Sequence, residues 1–178
     1  MTVDEAVALI QPAVSPRTAV WADLGAGAGT FTLALSEILG FGSSIFAVDQ
    51  KLSALKKRLD TTYVRSKILL HEKDFRELLE FPKLDGIIMA NSLHYVRDQD
   101  VFLQQVMSYL HDDGIFILVE YDRETSNHWV PFPVTFVDFQ RLALRTGLML
   151  PEEVGRMPSQ FGKQDIYAAS TRKVRTDL

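Results

Sequence analysis

Three glycines at alternate positions, Gly25, Gly27 and Gly29, follow a short apolar run that contains the acidic residue Asp23. The apolar run predicts a buried strand, and the residues after the glycines recur with the period of a helix. Glycine adopts backbone angles that other residues avoid, and it lets a bound molecule approach the main chain without a Cβ in the way. A tight turn alone does not need three glycines at this spacing. The segment therefore predicts a ligand-binding loop.

Two common nucleotide-binding loops do not fit this segment. A dinucleotide loop needs the pattern G-x-G-x-x-G or G-x-G-x-x-A, and the last position counted from Gly25 is Thr30. A phosphate-binding P-loop needs Gly-Lys followed by Ser or Thr, and the sequence has no such triplet. The loop therefore favours an adenosyl ligand that lacks a pyrophosphate.

Polar residues also follow the next three predicted strands. Asp49 ends the second strand, where a carboxylate can accept hydrogen bonds from both hydroxyls of a ribose. Asp74 follows the third strand, where it can accept from an adenine amino group while Phe75 packs on the ring. Asn91 ends the fourth strand. Asp49 and Asp74 can each equally cap a helix, but polar groups at four successive strand ends predict one shared site.

Short apolar runs alternate with segments of helical period over most of the chain. We predict strands at 19–24, 44–49, 67–71, 84–90 and 115–119, helices at 3–11, 31–39, 52–59, 75–80, 98–110 and 134–146, and a turn at 112–114. This alternation indicates a parallel sheet covered on both faces. Two more β-like stretches, near 148–156 and at 165–170, leave no room for a helix between them and predict a hairpin.

The predicted fold is an α/β, doubly wound, seven-stranded, mostly parallel sheet with an antiparallel last strand. In such sheets ligands bind beyond the carboxyl ends of the strands, at the point where the strand order reverses. The candidate site residues all fall at these ends. A single site at this edge of the sheet is therefore expected.

The composition narrows the class of protein. The chain has 178 residues, 47% of them hydrophobic, which suits one domain with one core. A net charge of −4 and a pI near 5.5 give no field that attracts nucleic acid or an anionic membrane. The absence of cysteine excludes disulfides, thiolate catalysis and cysteine-ligated metals. With no apolar run of about 20 residues and no leader pattern, we expect a cytoplasmic protein.

At these residues the sequence resembles the class I S-adenosylmethionine-dependent methyltransferases, in their small-molecule type with a minimal core. Asp23–Thr30 resembles the first motif of that family, whose glycines lie against the methionine part of the cofactor and whose acid reaches its amino group. Ala47–Asp49 is similar to the second motif. It implies that Asp49 holds the ribose and that Gln50 flanks the adenine.

Two further segments and the terminal hairpin extend the resemblance. Lys73–Phe75 resembles the third motif, which implies adenine contacts, and Ala90–Tyr95 resembles the fourth-strand motif of small-molecule members. The hairpin fits the reversed last strand of the Rossmann-like methyltransferase fold. The resemblance thus implies S-adenosylmethionine as cofactor, bound by Asp23, Gly25, Gly27, Gly29, Asp49, Gln50, Asp74, Phe75 and Asn91.

The resemblance also implies the domain organisation. Residues 1–178 form one methyltransferase domain, with a short N-terminal helix in 1–16 and the core in 17–178. Few residues precede the first strand, and no large insertion follows the fourth or fifth, so we expect almost no lid over the acceptor. The acceptor pocket is then open, completed by a second copy or a partner subunit, or suited to a large partner.

Methyl transfer from a sulfonium is an in-line displacement that needs alignment, exclusion of water and, for some acceptors, a base. It requires no metal. His94 follows the fourth strand and is the first candidate for the base, although many such enzymes rely on proximity alone. Tyr95, Tyr121, His128 and Trp129 are candidates for the substrate wall, where aromatic rings pack on the acceptor or favour a cation. The alternative is that the loop aromatics only pack on the sheet.

Three functions stay open at this point. The first is methyl transfer to an unidentified small molecule. A nucleic-acid base as acceptor is disfavoured, because enzymes that methylate base amino groups typically carry Asn- or Asp-Pro-Pro-Tyr after the fourth strand, whereas Asn91–His94 reads Asn-Ser-Leu-His. The alternatives are a protein or RNA acceptor delivered by a partner subunit, and a non-catalytic S-adenosylmethionine-binding or interaction protein.

Overall fold

The computed structural model describes residues 1–162 and 164–174. Five helices and seven strands follow one another as α1 (Val3–Ile10), β1 (Val20–Leu24), α2 (Thr30–Ile38), β2 (Ser44–Asp49), α3 (Ser53–Leu59), β3 (Lys67–Glu72), β4 (Leu84–Ala90), α4 (Gln99–Tyr109), β5 (Leu110–Tyr121), α5 (Phe136–Arg145), β6 (Glu152–Pro158) and β7 (Asp165–Arg172). Short 3-10 helices lie at Gln11–Ala13 and Leu93–Tyr95. None of the helices in these two ranges has the length and apolar character needed to cross a bilayer.

The seven strands form one sheet in the order β3-β2-β1-β4-β5-β7-β6. The first five strands pair in parallel, and β7 lies antiparallel between β5 and β6. The predicted fold class is confirmed. The strand order reverses between β1 and β4, which is where doubly wound sheets bind their ligands.

The sheet is covered on both faces because neighbouring residues of a strand point in opposite directions. On one face Trp21 and Ile88 pack with α1 and α2. On the other face Ala22, Ile87 and Phe116 pack with α4 and α5. Burial on both faces explains why the central strands are almost continuously apolar in sequence.

The helix predicted at 75–80 does not form, and the chain makes a single turn there. The carboxylate of Asp74 accepts the backbone N–H of Arg76 at 2.9 Å, as it would at a helix start. However, Pro82 keeps the residue before it, Phe81, out of the helical region, so only a few residues remain for a helix. Such a short segment cannot offset the cost of helix nucleation.

Strand β5 begins at Leu110, earlier than predicted. The predicted turn at 112–114 lies inside this strand, which is irregular there, because Leu84 pairs with Leu110 and Gly86 with Ile115. The strand thus advances five residues while β4 advances two. An Asp-Asp-Gly sequence is typical of both turns and bulges, so the sequence did not separate the two structures.

Candidate active site

A cavity of about 440 Å³ lies at the carboxyl ends of β1, β2 and β4. We call it the loop cavity, because the glycine loop forms much of its wall. It is lined by Met1, Asp23, Gly25, Ala26, Gly27, Ala28, Thr30, Phe31, Asp49, Phe75, Ala90, Asn91, Ser92 and Tyr95. The structure thus brings together predicted residues from four strand ends.

The backbone N–H groups of the glycine loop are largely held by the protein itself. Gly25 and Ala26 donate to the carbonyl oxygen of Val48 at 2.8 and 3.0 Å. Gly27 donates to Oδ2 of Asp49 at 2.9 Å. A phosphate-binding loop must instead leave such groups free for the anion. The bonded N–H groups of this loop therefore disfavour a pyrophosphate, which supports the choice of ligand made from the sequence.

Asp23 is 1% exposed, and its carboxylate has only one hydrogen-bond partner. The hydroxyl of Thr32 donates to Oδ2 at 2.6 Å, whereas Oδ1 is buried without a partner in the described ranges. Burial raises the pKa of Asp23 to about 7; the Thr32 hydrogen bond opposes this rise, and the charge of Asp49 adds to it. A buried acceptor without a donor is costly. Its position in the cavity wall fits a ligand that brings a cationic N–H group.

Two glycines of the loop have different surroundings. Gly29 precedes α2 with a φ of +82°, and a Cβ there would lie 2.2 Å from Cδ1 of Leu55. It is absent from the lining of the loop cavity, and its missing Cβ makes room for the side chain of Leu55. Gly27 has a φ of +53° and lines the cavity, and a Cβ there would meet no protein atom within 4 Å.

Asp49 is half-buried at the end of β2. Its Oδ1 accepts the N–H of Lys51 at 3.0 Å and its Oδ2 accepts the N–H of Gly27. Each carboxylate oxygen has two acceptor positions, so each keeps one for a ligand hydroxyl. This arrangement fits a ribose, and the role of Asp49 stays a prediction.

Asp74 does not line the loop cavity. Its carboxylate accepts from Nη2 and Nε of Arg76 at 2.6 and 2.9 Å and from Nε2 of Gln50 at 2.8 Å. The Arg76 hydrogen bond holds the pKa of Asp74 below its ordinary value, against a small effect of burial. An adenine contact by Asp74 therefore requires Arg76 or Gln50 to release an oxygen. Phe75 is better placed, since its ring lines the cavity and packs on Phe102 at 5.8 Å.

A second cavity, of about 530 Å³, adjoins the first and shares Asn91 and Tyr95 with it. We call it the aromatic cavity. Its other lining residues come from the 3-10 helix after β4, the end of β5, the loop after β5 and the β6–β7 turn. They are His94, Tyr121, Arg123, Asn127, Trp129, Val130, Phe161 and Gln164.

Asn91 stands at the junction of the two cavities in an unusual conformation. Its φ is +52°, and it is the one non-glycine residue in the described part of the chain with a positive φ. Its N–H donates to the carbonyl of Val119 at 2.8 Å, while its Oδ1 is buried without a protein partner there. A strained backbone and an unused acceptor at a cavity wall are typical of functional sites.

His94 is held by an acid that the sequence analysis missed. Its Nδ1 lies 2.7 Å from Oε2 of Glu120, and its backbone N–H donates to Oε1 at 3.2 Å. The two residues are 2% and 1% exposed. If Nδ1 carries the proton and donates it to Glu120, Nε2 is left as an acceptor. This is the tautomer that a general base requires.

Glu120 is the next-to-last residue of β5 and directly follows the strand predicted at 115–119, so the reasoning used for the other four strand ends also applies to it. Phe161 and Gln164 gave no such signal, because their approach to the site depends on how the hairpin folds back. Among the predicted substrate residues, Tyr95, Tyr121 and Trp129 line the aromatic cavity. His128 does not line it, and its exposed ring packs edge-on against Trp129 at 5.4 Å.

The sheet order and the glycine-loop cavity define a class I S-adenosylmethionine-dependent methyltransferase. Residues 18–154 match a family described as a methyltransferase domain, and the chain belongs to that family. No curated protein sequence matches the chain. The expected enzyme class and the expected cofactor, S-adenosylmethionine, are confirmed.

Several solved structures share the fold. One is the 1,6-didemethyltoxoflavin-N1-methyltransferase of Burkholderia thailandensis with 1,6-didemethyltoxoflavin and S-adenosylhomocysteine bound, at a TM-score of 0.75 and 20% identity over 97% of this chain and 78% of that one. Another is the YcgJ protein of Bacillus subtilis, with a TM-score of 0.72 and 14% identity; the match covers 97% of this chain and 99% of that one. A third is the S-adenosylmethionine-bound magnesium protoporphyrin IX methyltransferase of Synechocystis, with a TM-score of 0.66 and 18% identity. The match covers 96% of this chain and 78% of that one. At these identities the similarity establishes the fold.

Proposed function

We propose that the protein transfers a methyl group from S-adenosylmethionine to a small-molecule acceptor bound in the aromatic cavity. One observation carries the proposal: two adjoining cavities share the wall formed by Asn91 and Tyr95. The loop cavity fits the cofactor, and the aromatic cavity has room for a second small molecule beside it. When bound, S-adenosylmethionine supplies a methyl group on a positively charged sulfur.

The loop cavity offers a separate partner for each part of the cofactor. Oδ1 of Asp23 accepts from the amino group of the methionine part, since this oxygen is buried without a partner among the residues described. The carboxylate of Asp49 accepts from the ribose hydroxyls. Phe75 and Gln50 flank the adenine, because with Asp49 they line a cleft that continues from the cavity. Asn91 lies nearest the acceptor side.

His94 takes the acceptor proton at Nε2, and Glu120 positions the ring for this step. Because Glu120 binds both Nδ1 and the backbone N–H of His94, it fixes the ring orientation and the tautomer. A general base contributes about 10²–10⁴-fold to a rate.

The test uses a methyl-labelled donor and a fractionated cell extract. We expect label in a low-mass product, and we expect the Asp49→Ala variant to give much less of it at a donor concentration near the native Kd. Label in the protein or RNA fraction would favour an acceptor delivered by a partner subunit. No transfer to any fraction, with S-adenosylhomocysteine still bound, would favour the non-catalytic alternative.

The rim of the aromatic cavity is open. Trp129 and Phe161 are each 73% exposed, which agrees with a core that has almost no lid. Completion of the pocket by a second copy or a partner subunit stays a prediction. The cytoplasmic location and the single-domain organisation over residues 1–178 also stay predictions, and residues 163 and 175–178 lie outside the described ranges.

A further inference from the structure

The chemistry of the aromatic cavity narrows the acceptor class, and this step rests on the proposed function. We propose that the acceptor is a planar aromatic molecule with an O–H or N–H group that faces His94 and an anionic substituent that binds Arg123. A carboxylate is the substituent that best fits a guanidinium.

Aromatic side chains from three separate segments supply the walls of the cavity. Tyr95 follows β4, Tyr121 ends β5, and Phe161 lies in the β6–β7 turn. The ring centroid of His94 lies 4.3 Å from that of Tyr95 and 6.4 Å from that of Tyr121. The base therefore stands among aromatic rings, and flat rings pack well on such surfaces.

Arg123 is a half-buried cation in this wall that lacks a carboxylate partner. Its Nε donates to the carbonyl of Thr125 at 2.7 Å and its Nη2 to the Thr125 hydroxyl at 3.3 Å. Over residues 1–162 and 164–174 no carboxylate lies within ion-pair distance of its guanidinium, whereas Arg145 and Arg156 both have one. The contacts with Thr125 orient the group and leave other N–H donors for a ligand.

Of the acids near Arg123 in sequence, Glu120 and Asp122 are bound to other residues, and Glu124 is exposed. Glu120 holds His94, and Asp122 accepts from Nη1 of Arg156 at 2.7 Å and from the N–H of Phe136 at 3.1 Å. Over residues 1–162 and 164–174 none of these three acids pairs with Arg123, so its guanidinium lies in the cavity wall as an unpaired cation.

The charge of Arg123 favours an anionic acceptor over a cationic one. Aromatic walls alone also suit a cationic acceptor through cation–π contacts. A cation beside the Arg123 guanidinium would be repelled, whereas an anion would be attracted, and more strongly than in bulk water because the cavity is partly enclosed. Burial, Glu120 and Tyr95 together raise the pKa of Tyr121, so its hydroxyl stays protonated and can also donate to an anion.

Tryptophan fluorescence offers a direct test, because the chain has two tryptophans in very different places. Trp129 lines the aromatic cavity and is 73% exposed, whereas Trp21 is buried in the core. Protein loaded with S-adenosylhomocysteine is titrated with 3,4-dihydroxybenzoate and with its neutral match, 3,4-dihydroxybenzamide. We expect saturable quenching, with the acid bound about tenfold more tightly than the amide. We expect the cationic 3,4-dihydroxybenzylamine to bind most weakly.

Two matched variants test whether Arg123 causes the preference for the acid over the amide. Arg123→Gln should bring the affinities for acid and amide to within about twofold. Arg97→Gln removes the same charge from an exposed arginine that does not line the cavity, and it should leave the preference unchanged. Calorimetry with S-adenosylhomocysteine shows whether each variant retains a native loop cavity.

Equal affinities for acid and amide in the native protein would overturn the inference. A preference that survives in Arg123→Gln, or no saturable binding of the acid at millimolar concentration, would also overturn it. These results leave the proposed function intact if S-adenosylhomocysteine still binds. Failure of the native protein to bind S-adenosylhomocysteine would instead refute the proposed function itself.

Discussion

In the proposed function Asp23 binds the cofactor, and its burial lowers the stability of the protein without ligand at high pH. Burial raises its pKa from the ordinary value of 3.8 to about 7, so the folded chain binds this proton more tightly than the unfolded chain does. The stability of the empty protein therefore falls as the pH rises from about 4 to about 7, and this contribution levels off above that range. The same ionisation creates the negative charge that attracts the cofactor amino group.

The Asp23→Asn variant separates the two effects. We expect it to be more stable than the native protein at pH 8 without ligand, because it buries no charge there, and to bind S-adenosylhomocysteine about tenfold more weakly. Urea unfolding at pH 5 and pH 8, together with calorimetry, measures both changes. Native and variant proteins with the same pH dependence of stability would show that Asp23 is not held in the state described.

In the proposed function, the carboxylate of Asp49 binds the ribose hydroxyls of the cofactor. We predict that Asp49→Ala weakens the binding of S-adenosylhomocysteine by one to two orders of magnitude, because a pair of charge-assisted hydrogen bonds is lost. Calorimetry measures this directly. Asp60→Ala, which removes an exposed acid after α3, is the matched control. An unchanged affinity in Asp49→Ala would remove this residue from the site.

In the proposed function, His94 and Glu120 act on the acceptor and not on the cofactor. In the labelled-donor assay we predict that His94→Gln lowers the turnover by about 10²–10⁴-fold. Its affinity for S-adenosylhomocysteine should stay within about twofold of the native value, because His94 does not line the loop cavity. Turnover near the native rate would show that the enzyme relies on proximity alone.

At the scale of the elements, the glycine loop before α2 gives a prediction about stability. Gly29 is the residue tested, and Gly27 is its control. Gly29→Ala places a methyl group against Leu55 and should destabilise the protein by about 1–3 kcal/mol from overpacking, with about 1 kcal/mol more from its positive φ. Gly27→Ala has the φ cost alone. Urea unfolding of both variants without ligand compares these costs. Equal losses of stability would contradict the close packing of Leu55 against Gly29.

The sequence predicted the helices and strands best where residues close together in the chain determine them. The apolar strands and the residues at their ends are read directly from the chain, which is why Asp49 and Asn91 were found. The same reasoning, that polar residues at strand ends mark the site, also predicts Glu120, which the sequence analysis did not include. Phe161 reaches the aromatic cavity only because β7 pairs with β5, a contact between residues far apart in sequence. The absent helix at 75–80 shows a local preference overruled by a nearby proline.

For the whole molecule, a ligand that binds only the folded state must raise the melting temperature. S-adenosylhomocysteine at one hundred times its Kd should stabilise the protein by about 2.7 kcal/mol, which corresponds to roughly 5–10 °C for a chain of this length. NAD should give no shift, since the N–H groups of Gly25, Ala26 and Gly27 are already bonded within the protein. A shift with NAD and none with S-adenosylhomocysteine would reverse the choice of ligand.

The wall that Asn91 and Tyr95 contribute to both cavities links the two binding equilibria. If donor product in the loop cavity changes the affinity for an acceptor by some factor, the acceptor must change the affinity for that product by the same factor. Acceptor affinities measured on the empty protein then differ from those of the working enzyme. A search for the acceptor should therefore begin with protein saturated with S-adenosylhomocysteine, in which the shared wall is already in place.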